Sequence, residues 1–237
     1  GAPGPGGGPG AAWLLTGPIT GDANLSMATS ALWLTGATTP TTGTGGEAGR
    51  ALQMADVDSD LQVELLIGAP GLGTSAAPAT GAVFLVDGSN TGRGSLDDAV
   101  RIEGRAAGGR LGTAFATIDL DGDGLHDIVL GAPTLELGGV ASAGEVSILL
   151  GPIDADITTA DADVRLETGG YSDIFGAGLA AIGDVTGDGQ PDVALSAPGR
   201  SSLAGASWVL DGMPASDGKV WDEAVSRIDG PIAGGLL

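Results

Sequence analysis

Short apolar runs alternate along the chain with stretches of Gly, Ala, Ser, Thr and Asp. The runs V-E-L-L-I-G-A, D-I-V-L-G-A and D-V-A-L-S-A are nearly continuous in apolar residues, which in a strand means burial on both faces. Others, V-R-I-E and V-R-L-E, alternate and leave one face wet. Gly-rich punctuation between the runs predicts tight turns and leaves no room for long helices. No run approaches the roughly 18 apolar residues needed to cross a bilayer.

The runs recur in register. G-A-P stands at Gly1, Gly68 and Gly131 and, as S-A-P, at Ser196, a period of about 64 residues that identifies internal repeats. An acidic cluster begins at Asp56, Asp119 and Asp184, always twelve residues ahead of the tripeptide. Each full unit predicts four strands: one approaching the acidic turn, one leaving it, a third such as G-A-V-F-L-V-D-G, and a fourth such as A-V-R-I-E-G. Four-stranded sheets packed side by side about an axis bury their inner strands between neighbours, which defines a β-propeller. A β-sandwich would not require a common loop in a common register. The expectation is an all-β chain, a partial propeller of four-stranded blades: a partial blade over 1–48, blades over 49–108, 109–172 and 173–230, and the start of another at 231–237.

Composition agrees with strands and turns: 45 Gly and 13 Pro, with aromatics at 3%. Thirty acidic against nine basic residues give a formal charge of −21, which repels nucleic acid and anionic membranes and selects cations as partners. The chain has no cysteine, so thiolate metal sites and disulfides are excluded.

The acidic clusters carry the candidate chemistry. In D-L-D-G-D-G-L-H-D, Asp119, Asp121, Asp123 and Asp127 fall at positions 1, 3, 5 and 9, Gly124 permits the reversal, and the Leu125 carbonyl is free to turn inward. Crowded carboxylates repel and raise one another's pKa, whereas a hard divalent cation converts the repulsion into coordination. The third cluster offers Asp184, Thr186, Asp188, the Gln190 carbonyl and Asp192, with a neutral threonine oxygen that lowers ligand charge. The first offers Asp56, Asp58, Asp60, the Gln62 carbonyl and Glu64, with Leu61 where glycine is expected, at a cost on the order of 1 kcal/mol if φ is positive. An EF-hand would need a bidentate glutamate where Leu130 stands, and helices on both sides. The plain alternative is metal-free, Asx-rich hairpin turns.

From Phe175 to Pro198, F-G-A-G-L-A-A-I-G-D-V-T-G-D-G-Q-P-D-V-A-L-S-A-P resembles the FG-GAP repeat of the integrin α-subunit β-propeller and its bacterial relatives. The other G-A-P copies and acidic turns match it too, so the resemblance spans essentially the whole chain. It implies calcium, up to three ions, on the ligand set just given, and a seven-bladed ring, of which this chain supplies about three and a half blades. A fragment, a ring completed by a second copy or half, and a capped open arc each fit that count. By the same resemblance, metal turns lie on one face and partners bind the other, built from 71–80, 134–143 and 168–174.

Two other features invite functional readings. Asp87, Ser89 and Thr91 are similar to the D-x-S-x-S metal site of integrin inserted domains, but the strand-end context reads more simply as a turn. His126 is the single histidine, and with no cysteine or G-x-S-x-G the usual nucleophile and base pairs are missing. The resemblance therefore implies a non-catalytic, extracellular or cell-surface module for adhesion or protein interaction, with calcium structural. An assembly scaffold and an accessory domain of a secreted hydrolase are the alternatives.

Overall fold

The computed structural model describes residues 11–14, 32–35 and 46–230. The G-A-P at Gly1, most of the expected partial blade and the expected new blade at 231–237 lie outside them. The strands fall into four sheets. The first contains β1 (Ala11–Leu14) and β2 (Leu32–Thr35). The second unit contributes β3 (Leu52–Ala55), β4 (Glu64–Ala69), β5 (Ala82–Val86), a short β6 (Gly92–Ser95) and β7 (Val100–Glu103). The third contributes β8 (Phe115–Ile118), β9 (Asp127–Ala132), β10 (Glu145–Leu149), a short β11 (Ile157–Thr158) and β12 (Val164–Glu167). The fourth contributes β13 (Leu179–Gly183), β14 (Asp192–Ala197), β15 (Ala206–Asp211), a short β16 (Gly218–Lys219) and β17 (Ser226–Asp229). The chain is nearly all β, and its four sheets form a partial β-propeller.

Within a unit the four main strands pair antiparallel in sequence order. The short strands depart from the four-strand expectation. β6 pairs parallel with β2, β11 with β7 and β16 with β12. Each is lent by one unit to the fourth strand of the unit before it, so the fourth strand is not the rim where a following unit is present. The Ser95 and Thr158 hydroxyls, accepting from the amides of Asp97 and Ala160, start the 3-10 turns that bring the chain back to its own sheet.

The core lies between sheets. Leu65 and Ile67 face the preceding sheet with Phe84 and Leu34. Leu66, Val83 and Ile102 face the following one with Phe115, Ile128 and Leu130. The next seam repeats this with Val129, Val146, Ile148 and Leu166 against Phe175, Val193, Leu195 and Trp208. Successive strand residues point to opposite faces, so a strand with a sheet on each side is apolar on both, as β4 and β9 are after their first residue. Each buried side chain of this size contributes about 1.5–3 kcal/mol.

The tripeptide glycines set how closely units approach. A Cβ on Gly68 would enter the carbonyl oxygen of Gly112, and one on Gly131 the carbonyl oxygen of Gly176. Gly112 and Gly176 each have φ +84°, a region that only glycine adopts readily. The residue before each, Leu111 or Phe175, is fully buried. Phe175 meets the Trp208 ring edge-on at 5.6 Å. The backbone of one unit's F-G turn thus rests on the G-A-P glycine of the unit before.

Replacing Gly131 with alanine should therefore cost about 1–3 kcal/mol through overpacking, read as a lower thermal unfolding midpoint. Gly218→Ala is the matched control, because an added carbon there meets open space. Equal midpoints for the two variants would contradict the seam.

Candidate metal centre

Three acidic turns join the first and second main strands of their units, at residues 56–63, 119–126 and 184–191. They share one hydrogen-bond scheme. The first aspartate accepts from the amides at positions 4 and 6: Asp56 from Ser59 and Leu61 at 2.9 and 3.1 Å, Asp119 from Gly122 and Gly124 at 2.8 and 3.0 Å, Asp184 from Gly187 and Gly189 at 2.6 and 3.0 Å. The position 5 carboxylate accepts from position 7: Asp60 from Gln62, Asp123 from Leu125, Asp188 from Gln190. Asp58 and Asp121 accept from the amides two residues on. These are stacked Asx turns, and they force positive φ at positions 4 and 6. Glycine serves there in the second and third turns, whereas the first has Ser59 at 70° and Leu61 at 69°. The strain expected at Leu61 is present and doubled at Ser59, for about 1–2 kcal/mol per residue.

Position 9 begins the outgoing strand and is buried in all three units: Glu64, Asp127 and Asp192. Each closes the turn by accepting from the amide at position 2: Glu64 from Val57 at 2.9 Å, Asp127 from Leu120 at 2.7 Å, Asp192 from Val185 at 2.6 Å. The second oxygen differs. Asp127 accepts from Gly151 at 3.0 Å, while Glu64 Oε1 and Asp192 Oδ1 are buried without any hydrogen-bond partner. A buried carboxylate oxygen left unpaired is costly.

Carboxylates converge in two turns. Asp56, Asp58 and Glu64 each bring one oxygen within 4.8 Å of the others, and so do Asp119, Asp121 and Asp127. Asp60 and Asp123 stand outside these groups. Among the described residues the third turn forms no such group, because Thr186 holds a hydroxyl where Asp58 and Asp121 hold carboxylates. Burial, followed by the charges of its loop neighbours, pushes Glu64 above its ordinary 4.5 and Asp127 above 3.8. Among the described residues seven ion pairs form, four of them between units, such as Arg105 with Glu145 and Lys219 with Glu167, and all use acids outside the three turns. No basic side chain in those pairs neutralises the turns.

A feature unread in the sequence couples turns to seams. The position 2 residues Val57 and Leu120 are buried in the core toward the following sheet, and the Val57 carbonyl accepts from Ile153 of the next unit at 2.8 Å. Val185, with no described sheet beyond it, is 59% exposed. An apolar residue at the same place in each acidic turn was the available signal.

The other candidates resolve simply. Asp87 Oδ1 accepts from the Ser89 amide at 2.7 Å, and the Ser89 hydroxyl and amide hold its carboxyl below the ordinary 3.8. That is an Asx turn closing a strand end. His126 is exposed at the rim of the second turn. No helix among the described residues is long and apolar enough to cross a membrane.

Repeating sheets with glycine seams and acidic first turns define a propeller-type repeat protein. The FG-GAP repeat model matches residues 111–149 and 175–210. The chain is similar to phosphatidylinositol-glycan-specific phospholipase D of Rattus norvegicus, 30% identical over 156 residues, which are 63% of this chain and 18% of that protein. It is similar to integrin alpha-PS2 of Drosophila melanogaster, 33% identical over 157 residues, covering 63% of this chain and 10% of the integrin. Integrin alpha-4 of Xenopus laevis is 32% identical over 112 residues, 46% of this chain and 10% of its own. Residues 111–149 and 175–210 are thus FG-GAP repeats, similar to those of integrin α chains, and the chain spans less than a fifth of the length of these relatives.

The raised carboxyls give a signed pH dependence without added metal. A carboxyl whose folded pKa lies above its unfolded value binds its proton earlier in the native state, so stability is gained as pH falls through the folded pKa toward the unfolded one. In chelator, wild type should gain stability relative to Glu64→Gln as the pH is lowered from 7 toward 4.5. Chemical denaturation at a series of pH values measures the gap, and a gap moving the other way contradicts the shift.

Proposed function

We propose that this chain is a calcium-stabilised propeller segment that serves as an extracellular or cell-surface module for adhesion or protein interaction. The observation that carries the metal reading is the pair of buried, unpartnered oxygens on Glu64 and Asp192, at the position 9 carboxylates of turns that none of the seven ion pairs among the described residues neutralises. An oxygen-coordinated divalent ion satisfies such atoms and cancels the repulsion. Asp56, Asp58, Asp60, Glu64 and the Gln62 carbonyl would hold the first ion. Asp119, Asp121, Asp123, Asp127 and the Leu125 carbonyl would hold the second, and Asp184, Thr186, Asp188, Asp192 and the Gln190 carbonyl the third. The ion's contribution is structural: it fixes each turn and, through Val57 and Leu120, the seam beside it.

Residues 49–108, 109–172 and 173–230 are proposed as successive blades of a ring completed by further blades or by a second half. The exposure of Ile228, 61% where its counterparts Ile102 and Leu166 are fully buried, supports a further sheet there. An accessory role beside a hydrolase domain is the second reading, favoured by the similarity to phosphatidylinositol-glycan-specific phospholipase D. On either reading we assign no catalytic residue to this segment.

Calorimetric titration of the chelated protein with calcium should show saturable binding of up to three ions. The unfolding midpoint should rise with calcium concentration, as required of a ligand that binds only the folded state. Asp119→Ala should remove one ion from the stoichiometry and part of that rise. Absence of both heat and stabilisation would remove the metal from this proposal.

A further inference from the structure

The third acidic turn has lost a carboxylate at position 3, where Thr186 replaces the aspartate of the other two turns. An acid from a different strand stands beside the gap. Asp211 ends β15, directly opposite Asp192 in the antiparallel register, so the two side chains project to the same face of the sheet. The Thr186 hydroxyl lies 3.4 Å from Asp211 Oδ1 and 3.5 Å from Asp188 Oδ1. Asp192 Oδ1, on a residue with no exposed surface, has no hydrogen-bond partner.

The corresponding residues in the other units behave differently. In the second unit described in full, Leu150 takes this place, and the following Gly151 donates to Asp127. In the first, Asp87 takes it but is consumed by its own turn through Ser89. Asp211 is followed by Gly212 and Met213, caps no turn of its own, and is directed at the loop. A one-residue register shift in β13, where Ile182 is the extra residue between Ala181 and Gly183, separates this loop from its two counterparts.

We propose that Asp211 is a ligand-supplying residue of the third turn, furnishing from the third strand the carboxylate that Thr186 does not. This rests on the calcium reading above. The site then has four carboxylates, Asp184, Asp188, Asp192 and Asp211, as many as the other two turns, with one drawn from outside the loop. The ion joins two hairpin corners of the blade where in the other turns it joins one.

Calcium calorimetry on the full chain, with circular dichroism in chelator to check folding, tests the assignment. Asp211→Asn should weaken one site by on the order of 10- to 100-fold and leave the others unchanged. Thr186→Asp combined with Asp211→Asn should restore that site, and Asp87→Asn should leave all sites as in wild type. If wild type binds calcium but Asp211→Asn has no effect, tightens the site or weakens all sites equally, this assignment falls and the calcium reading survives. If wild type binds none, both fall. Should Asp211→Asn fail to fold, rescue of folding and binding by the double variant supports the assignment, and failure of that rescue overturns it.

Discussion

Backbone-to-backbone contact between successive units is the constraint on which the remaining architecture depends. Gly68 against Gly112 and Gly131 against Gly176 leave no space for a side chain, so neighbouring sheets approach to the limit set by their main chains. At that distance the apolar residues of β4, β9 and β14 reach across the seam and close it. A packed interior has little free volume to absorb an extra carbon. The tripeptide and the F-G turn are therefore one device split between two units, which is why the motif makes physical sense only as a repeat.

The acidic turns are tied to the same seams. Their negative charge is concentrated by Asx geometry, and the first two turns insert their second residues, Val57 and Leu120, into the core toward the next sheet. A change in turn conformation is then a change in sheet packing. Through such coupling an ion held in a turn, as proposed, would influence the spacing of units without any contact between the ion and the seam. It also explains the strained first turn: Ser59 and Leu61 hold conformations costly for residues with a Cβ, while the carboxylates still converge and Val57 still enters the core.

Much of this was legible in the sequence because its signals are periodic. The continuous apolar runs marked strands covered on both faces, and the spacing of Asp119, Asp121 and Asp127 marked groups that the fold brings together. Less legible were features whose cause lies in another unit. G-R-G-S at 92–95 has neither strand propensity nor an apolar face, and it is a strand because β2 offers an unpaired edge. Ser59 looked like ordinary loop composition, and its positive φ follows from the Asp56 hydrogen bonds. The relation of Asp211 to Thr186 required the register of β14 with β15, which no local pattern contains.

The short strand lent backwards by each unit imposes a sequence in time. A chain is made from its N-terminus, so β7 leaves the ribosome roughly fifty residues before the β11 that will cover it. During that interval the sheet presents a bare row of amides and carbonyls, the kind of margin that recruits wrong partners. Arg101 and Glu103 on β7, and Arg165 and Glu167 on β12, place charge along those margins. Charges so placed oppose edge-to-edge pairing, and in the finished molecule Arg165 and Glu167 turn to Asp217 and Lys219 of the succeeding unit.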